Sequence, residues 1–243
     1  MNTKFLSALT ATAAATALFS AAAPAHAFSF GTNAIKFDKD TNVIFNFRQS
    51  YGAYTSSLGV YGVNGQTTSL LKTLFSEVQP SDTGATGNWK GTLGTTVLGS
   101  GTSTFTFLAN QVYTLGLSSV GLDGSNQGTV YSSTALNSGG TQQAVFGNPN
   151  VLLPLVLEPE DEKIFAANPE DFTSGSSLFN EGVAISFDDR GNGDDSDFQD
   201  FTLTALAETK AESVPEPMTM TGLALGLGGL VAARRRRGSK TAS

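Results

Sequence analysis

Six carboxylates crowd into thirteen residues near the end of the chain, in the run Asp188-Asp189-Arg190-Gly191-Asn192-Gly193-Asp194-Asp195-Ser196-Asp197-Phe198-Gln199-Asp200. Charges this close repel one another unless solvent, Arg190 or a cation lies between them. The glycines and Asn192 tolerate positive φ, so the run can curl its oxygens inward. Calcium takes six to eight oxygens at ~2.3–2.6 Å, and carboxylate, amide and backbone carbonyl oxygens on a Gly-rich loop are ligands of that type. The candidate ligands are therefore Asp188, Asp189, Asn192, Asp194, Asp195, Asp197 and Asp200, with Ca²⁺ as the candidate cofactor. The run lacks the EF-hand spacing and its closing glutamate, and a solvated acidic turn is the alternative.

Other chemistry is excluded by composition. The chain has no cysteine, and its one histidine, His26, falls in a leader-like segment. A Cys or His nucleophile system, a His/Cys zinc site and a disulfide are all ruled out for the remainder. Glu158 and Glu162 are available as a glycosidase pair, but spacing along a chain does not set them across a cleft. The aromatic residues Trp89, Tyr51, Tyr54, Tyr61 and Tyr113 could offer platforms for sugars, or could be core.

The elements that must position the acidic run are strands. Val183, Ile185 and Phe187 alternate with small or polar residues before it, and Phe201, Leu203 and Ala205 resume the alternation after it, which predicts a hairpin with one apolar face. Further strands are expected over 42–47, 57–63, 95–98, 102–108, 111–117, 129–132 and 144–146, each bounded by Gly, Ser, Asn or Pro. Leu70, Leu71, Leu74, Phe75 and Val78 recur at helical spacing, so 69–78 is expected to be a short helix. The apolar run 151–157, interrupted by Pro154, is expected to be an edge strand leading into an acidic loop. The fold class is all-β, a sandwich or jelly roll with one short helix.

Both ends carry targeting features. Lys4, the apolar stretch 5–23 and Ala25-His26-Ala27 form a signal peptide, residues 1–27, with cleavage expected after Ala27. Near the other end, Val214-Pro215-Glu216-Pro217 precedes an apolar run, 218–233, and then Arg234, Arg235, Arg236 and Arg237. Sixteen residues at ~1.5 Å each span roughly 24 Å, less than the ~30 Å hydrocarbon core of a bilayer, so the run is a short transmembrane segment. The arginines resist crossing the bilayer. An exported domain is left between them, residues 28–213, with a six-residue tail at 238–243. That domain holds 8 Lys/Arg against 20 Asp/Glu, a balance of −12, which disfavours nucleic acid and anionic lipid as partners.

The Pro-Glu-Pro motif, short apolar segment and arginine cluster resemble the PEP-CTERM sorting domain of exported proteins in Gram-negative bacteria. That resemblance implies signal peptidase and an exosortase as processing partners, transient anchoring in the inner membrane, and a destination at the cell surface or in an exopolysaccharide matrix. A plain single-pass anchor is the alternative. Residues 182–207, with Ile185-Ser186-Phe187-Asp188-Asp189, the Gly-Asp run and Asp197-Phe198-Gln199-Asp200-Phe201, resemble an uncharacterised bacterial surface-domain family. Gln199 stands where that family carries asparagine. Three functions remain open: a non-enzymatic surface or matrix domain, which is the expectation, a carbohydrate-binding module, and a glycan-active enzyme.

Overall fold

A computed structural model describes residues 27–81, 90–156, 177–189 and 198–208. The signal peptide up to residue 26, Trp89, Glu158, Glu162 and everything from residue 209 onward, including Val214 to Pro217 and Arg234 to Arg237, lie outside the described residues. Eleven strands account for about half of the described residues: β1 (Phe28–Phe30), β2 (Ile35–Phe37), β3 (Thr41–Ser50), β4 (Thr55–Asn64), β5 (Thr67–Ser76), β6 (Thr102–Phe107), β7 (Tyr113–Val120), β8 (Asn126–Tyr131), β9 (Ala144–Gly147), β10 (Val183–Phe187) and β11 (Phe201–Ala207). One α-helix, α1 (Pro149–Val156), joins them. No helix among the described residues is long and apolar enough to cross a membrane.

The strands form two antiparallel sheets. One runs β1-β2-β7-β4-β5, with β8 beside β7, and the other runs β6-β3-β11-β10-β9. Alternation along each strand sends one set of side chains between the sheets, where Phe30, Phe37, Phe45, Phe107, Phe187 and Phe201 are fully buried. Rings meet across the interface, as in Phe37 with Phe107 at 5.4 Å and Phe30 with Phe146 at 5.8 Å between centroids, and along the second sheet, as in Phe47 with Phe201 at 5.2 Å. The molecule is an all-β sandwich, and its stability rests on this packing.

Where the chain departs from expectation, the reasons are local. Residues 69–78 are not a helix; most of them belong to β5, which is paired to β4 with two irregularities in register. Ser76, Phe75 and Thr73 face Ser57, Leu58 and Gly59, and Lys72 and Leu70 face Val60 and Tyr61, leaving Leu74 and Leu71 as extra residues. Two bulges in ten residues turn a spacing of two into an apparent spacing of three to four. Leu70 and Leu71, 53 % and 51 % exposed, are surface residues rather than a core-facing helical stripe.

Nor is 151–156 an edge strand. Asn148 caps α1, its Oδ1 accepting the Asn150 N–H at 2.8 Å, and Pro149 takes the first helical position, where no N–H is required. Leu157 lies outside the described residues. The stretch 95–98 is a turn with isolated bridges from Val97 to Glu77 and Leu93, not a strand. Two short strands at the start, β1 and β2, add a hairpin that the sequence reading did not include.

Candidate metal centre

The β10–β11 hairpin has the expected register, with Val183 opposite Ala205, Ile185 opposite Leu203 and Phe187 opposite Phe201. Its apolar face enters the core as the alternation requires. The opposite face is buried too: Ala184, with Val145 from β9, Leu152 from α1 and Phe198, makes a second small cluster. Thr202 is fully buried there, and its hydroxyl lies 2.5 Å from that of Ser186. A hairpin covered on both sides is a stiff mount for whatever sits at its open end.

Asp188 and Asp189 leave β10 at that end, and Asp200 enters β11. The backbone fixes all three. Asp188 donates its N–H to the Gln143 carbonyl at 3.1 Å, Asp200 donates to the Phe187 carbonyl at 3.0 Å, and Tyr51 donates to the Asp200 carbonyl at 3.0 Å. The Asp189 N–H donates to Oδ2 of Asp200 at 2.8 Å. Carboxylate oxygens of Asp188, Asp189 and Asp200, one from each, lie within 4.8 Å of one another. Asp188 is 1 % exposed and Asp189 is buried as well.

Gly52 makes room for the group. Its φ of +100° suits glycine, and a Cβ there would stand 3.1 Å from Oδ1 of Asp200 and 3.9 Å from Oδ2 of Asp189. The return of the chain is anchored by Phe198, whose buried ring packs in the second cluster although its φ is +51°, a conformation bulky residues rarely adopt. Three carboxylates on rigid backbone are an all-oxygen donor set suited to a hard divalent cation. Of the seven ligands expected from sequence, the structure brings together Asp188, Asp189 and Asp200. Asn192, Asp194, Asp195 and Asp197 lie outside the described residues.

A second polar group, centred on Glu77, escaped the sequence reading. Glu77 follows β5 with its side chain turned into the end of the sandwich, 7 % exposed. Oε1 accepts from the Ser50 hydroxyl in a short contact, and Oε2 accepts the Ser56 N–H at 2.8 Å. Ser50 also lies 3.0 Å from the Ser81 hydroxyl, and Ser56 lies 2.9 Å from the Ser119 hydroxyl. Burial pushes the Glu77 carboxyl up to about 7, against the opposing pull of hydrogen bonds from Ser50, the Ser56 backbone and Ser81. Its one sequence signal was an acid at an inward position two residues beyond Phe75, visible only once the segment is taken as strand.

Among the aromatic candidates, Tyr113 is core, its hydroxyl accepting the Leu108 N–H at 3.0 Å. Tyr51, Tyr54 and Tyr61 are half-buried. Comparison with known proteins supplies no relative, since no family model, no curated protein and no solved structure matches the chain.

Proposed function

We propose that this chain is an exported, non-enzymatic surface or extracellular-matrix domain that uses a calcium ion to lock one end of its sandwich. The observation that carries the cation is the convergence of Asp188, Asp189 and Asp200 at the mouth of a hairpin buried on both faces. Buried carboxylates in contact destabilise the fold unless protons or a cation neutralise them. Calcium is the favoured ion because it accepts a flexible shell of six to eight carboxylate and carbonyl oxygens, whereas magnesium demands near-ideal octahedral geometry and gives up its water reluctantly.

Binding to the folded form alone stabilises it, by about 2.7 kcal/mol at a hundred times the dissociation constant. For a domain of this size that raises Tm by roughly 5–10 °C. Calcium and magnesium at matched ionic strength, applied to the wild type and to Asp200→Asn, separate site binding from screening. Calcium is expected to stabilise the wild type more than magnesium does, and the variant is expected to lose that preference. Equal stabilisation by both ions would leave only a solvated acidic turn.

Export rests on the leader, and on the Pro-Glu-Pro, apolar and arginine segments at the other end. The position of β1 supports the leader boundary, because its first residue, Phe28, is the residue expected to follow cleavage. Intact-mass measurement of extracellular material is expected to give a chain beginning at Phe28 and lacking Arg234 to Arg237. Retention of those arginines in the final form would favour a plain membrane anchor.

A further inference from the structure

The outward face of the β8-β7-β4-β5 sheet is built unlike an ordinary solvated face. Strands β4, β7 and β8 contain no Asp, Glu, Lys or Arg, and the one lysine of β5, Lys72, turns to the other sheet, where its Nζ donates to the Thr104 carbonyl at 2.6 Å. In a domain with an acidic excess, charge is kept off the outward face of four adjacent strands.

At the centre of that face two glycines, Gly59 and Gly116, sit side by side on neighbouring strands. The Tyr61 ring lies over them: a Cβ on Gly116 would fall 2.6 Å from its Cε2, and one on Gly59 would fall 3.4 Å from the same atom. Without side chains beneath it, the ring lies low against the backbone. Tyr131 stands beside it at 88°, with 5.5 Å between centroids. Both rings are half-buried. Around them runs a set of neutral hydroxyls. The Tyr61 hydroxyl lies 3.2 Å from that of Ser118, Ser118 lies 2.6 Å from Thr129, and the Tyr131 hydroxyl lies 2.8 Å from that of Thr68. These contacts fix the rings and still leave lone pairs, because each hydroxyl carries one proton and two acceptor sites.

We propose that this face is a binding platform for a neutral, hydroxyl-rich glycan chain, with Tyr61 as its floor and Tyr131 as its wall. A pyranose offers apolar C–H faces that pack on an aromatic ring and equatorial hydroxyls that bond to neutral donors and acceptors, and this face supplies both. The absence of charge selects against uronic or sulfated polymers, which the acidic domain repels in any case. A second copy of the chain is a poorer occupant. Leu70 is the exposed large aliphatic residue beside Tyr61, whereas a stable protein interface buries about 1,200–2,000 Å² around an apolar centre. The platform makes no use of the acidic group at the hairpin mouth.

The test is affinity electrophoresis of the folded domain through native gels holding soluble glucan, mannan or galactan, with polygalacturonate as the anionic control. At least one neutral polymer is expected to retard the wild type, and polygalacturonate is not. Tyr61→Ala is expected to weaken retardation about tenfold. Because removing that ring also uncovers the paired glycines, Tyr131→Phe serves as the second variant, keeping the ring and losing its hydroxyl; it is expected to bind severalfold more weakly while the loss of its bond to Thr68 lowers Tm by no more than about 4 °C. No retardation by any of the three neutral polymers overturns the proposal. So does equal retardation by polygalacturonate, or wild-type retardation of a folded Tyr61→Ala. A dimer in solution that Leu70→Lys dissociates would overturn it in favour of a protein interface.

Discussion

Replacing Glu77 with glutamine tests whether a buried proton holds the end of the sandwich. An ordinary glutamate releases its proton at 4.5, whereas burial raises Glu77 to about 7 in the fold. Between those values the native state keeps a proton that the unfolded chain has lost, so unfolding releases it and stability falls as pH rises. The contribution is fully present below 4.5 and gone once pH has risen through 7. At 1.36 kcal/mol per pH unit the gap is worth about 3 kcal/mol. Glutamine keeps the shape without a titrating proton: its oxygen can accept the Ser56 N–H, and the Ser50 hydroxyl, which donates to Oε1 in the wild type, can turn to accept from the amide. Glu77→Gln should therefore be insensitive to pH at this position. Urea unfolding at pH 4.5, 6, 7 and 8 and constant ionic strength measures the difference, in which the aspartates common to both proteins cancel. The wild-type midpoint is expected to fall relative to the variant by on the order of 1–2 M between pH 4.5 and 8. Parallel curves would refute the reasoning, and so would a gap that widens toward low pH.

Two further substitutions probe the hairpin and its mouth. Phe187→Ala and Phe201→Ala are expected to cost about 3–5 kcal/mol each by chemical denaturation, and Thr202→Ala about 1–3, because Thr202 is buried and its loss strands the Ser186 hydroxyl. Gly52→Ala is expected to cost at least about 1 kcal/mol through its positive φ, and to weaken any calcium-induced rise in Tm by crowding Asp200.

Regular alternation was legible. The core strands β3, β4, β6, β7, β10 and β11 all carry it, and the hairpin register followed from six apolar residues. What was hidden was geometry that breaks the period or depends on distant chain. In β5 the bulges imitated a helix, and in α1 a leucine-rich run with a proline imitated a strand, although Asn148-Pro149 was a usable helix start. The burial of Thr202 was invisible because β9 and α1, whose Val145 and Leu152 pack on that face, are remote in sequence. The same holds for the site. Asp188, Asp189 and Asp200 declared themselves by type and spacing, whereas Gly52, which leaves them room, comes from a corner some 140 residues earlier, and Ser50, which holds Glu77, stands 27 residues before it. A lone glycine or serine carries no sign of its distant neighbour. Tyr131 was passed over for a related reason, since its meaning depends on Tyr61 across β7.

Strand β11 lies between β3 and β10 at the centre of its sheet, yet among the described residues it is the last strand in sequence. As the polypeptide emerges from its N-terminus, β3 is complete by Ser50 and must wait some 150 residues for its partner. Until β11 arrives, β3 and β10 each present an open edge, and the apolar faces of Phe45, Phe47 and Ile185 lack their neighbour. The middle of the second sheet can therefore be completed only once β11 is available, a pairing of high sequence separation that slows folding. A chain halted before Phe201 would display two unpaired strand edges, the kind of surface that recruits other chains. Only Glu208 to Ser213 separate that closing strand from Val214 along the sequence.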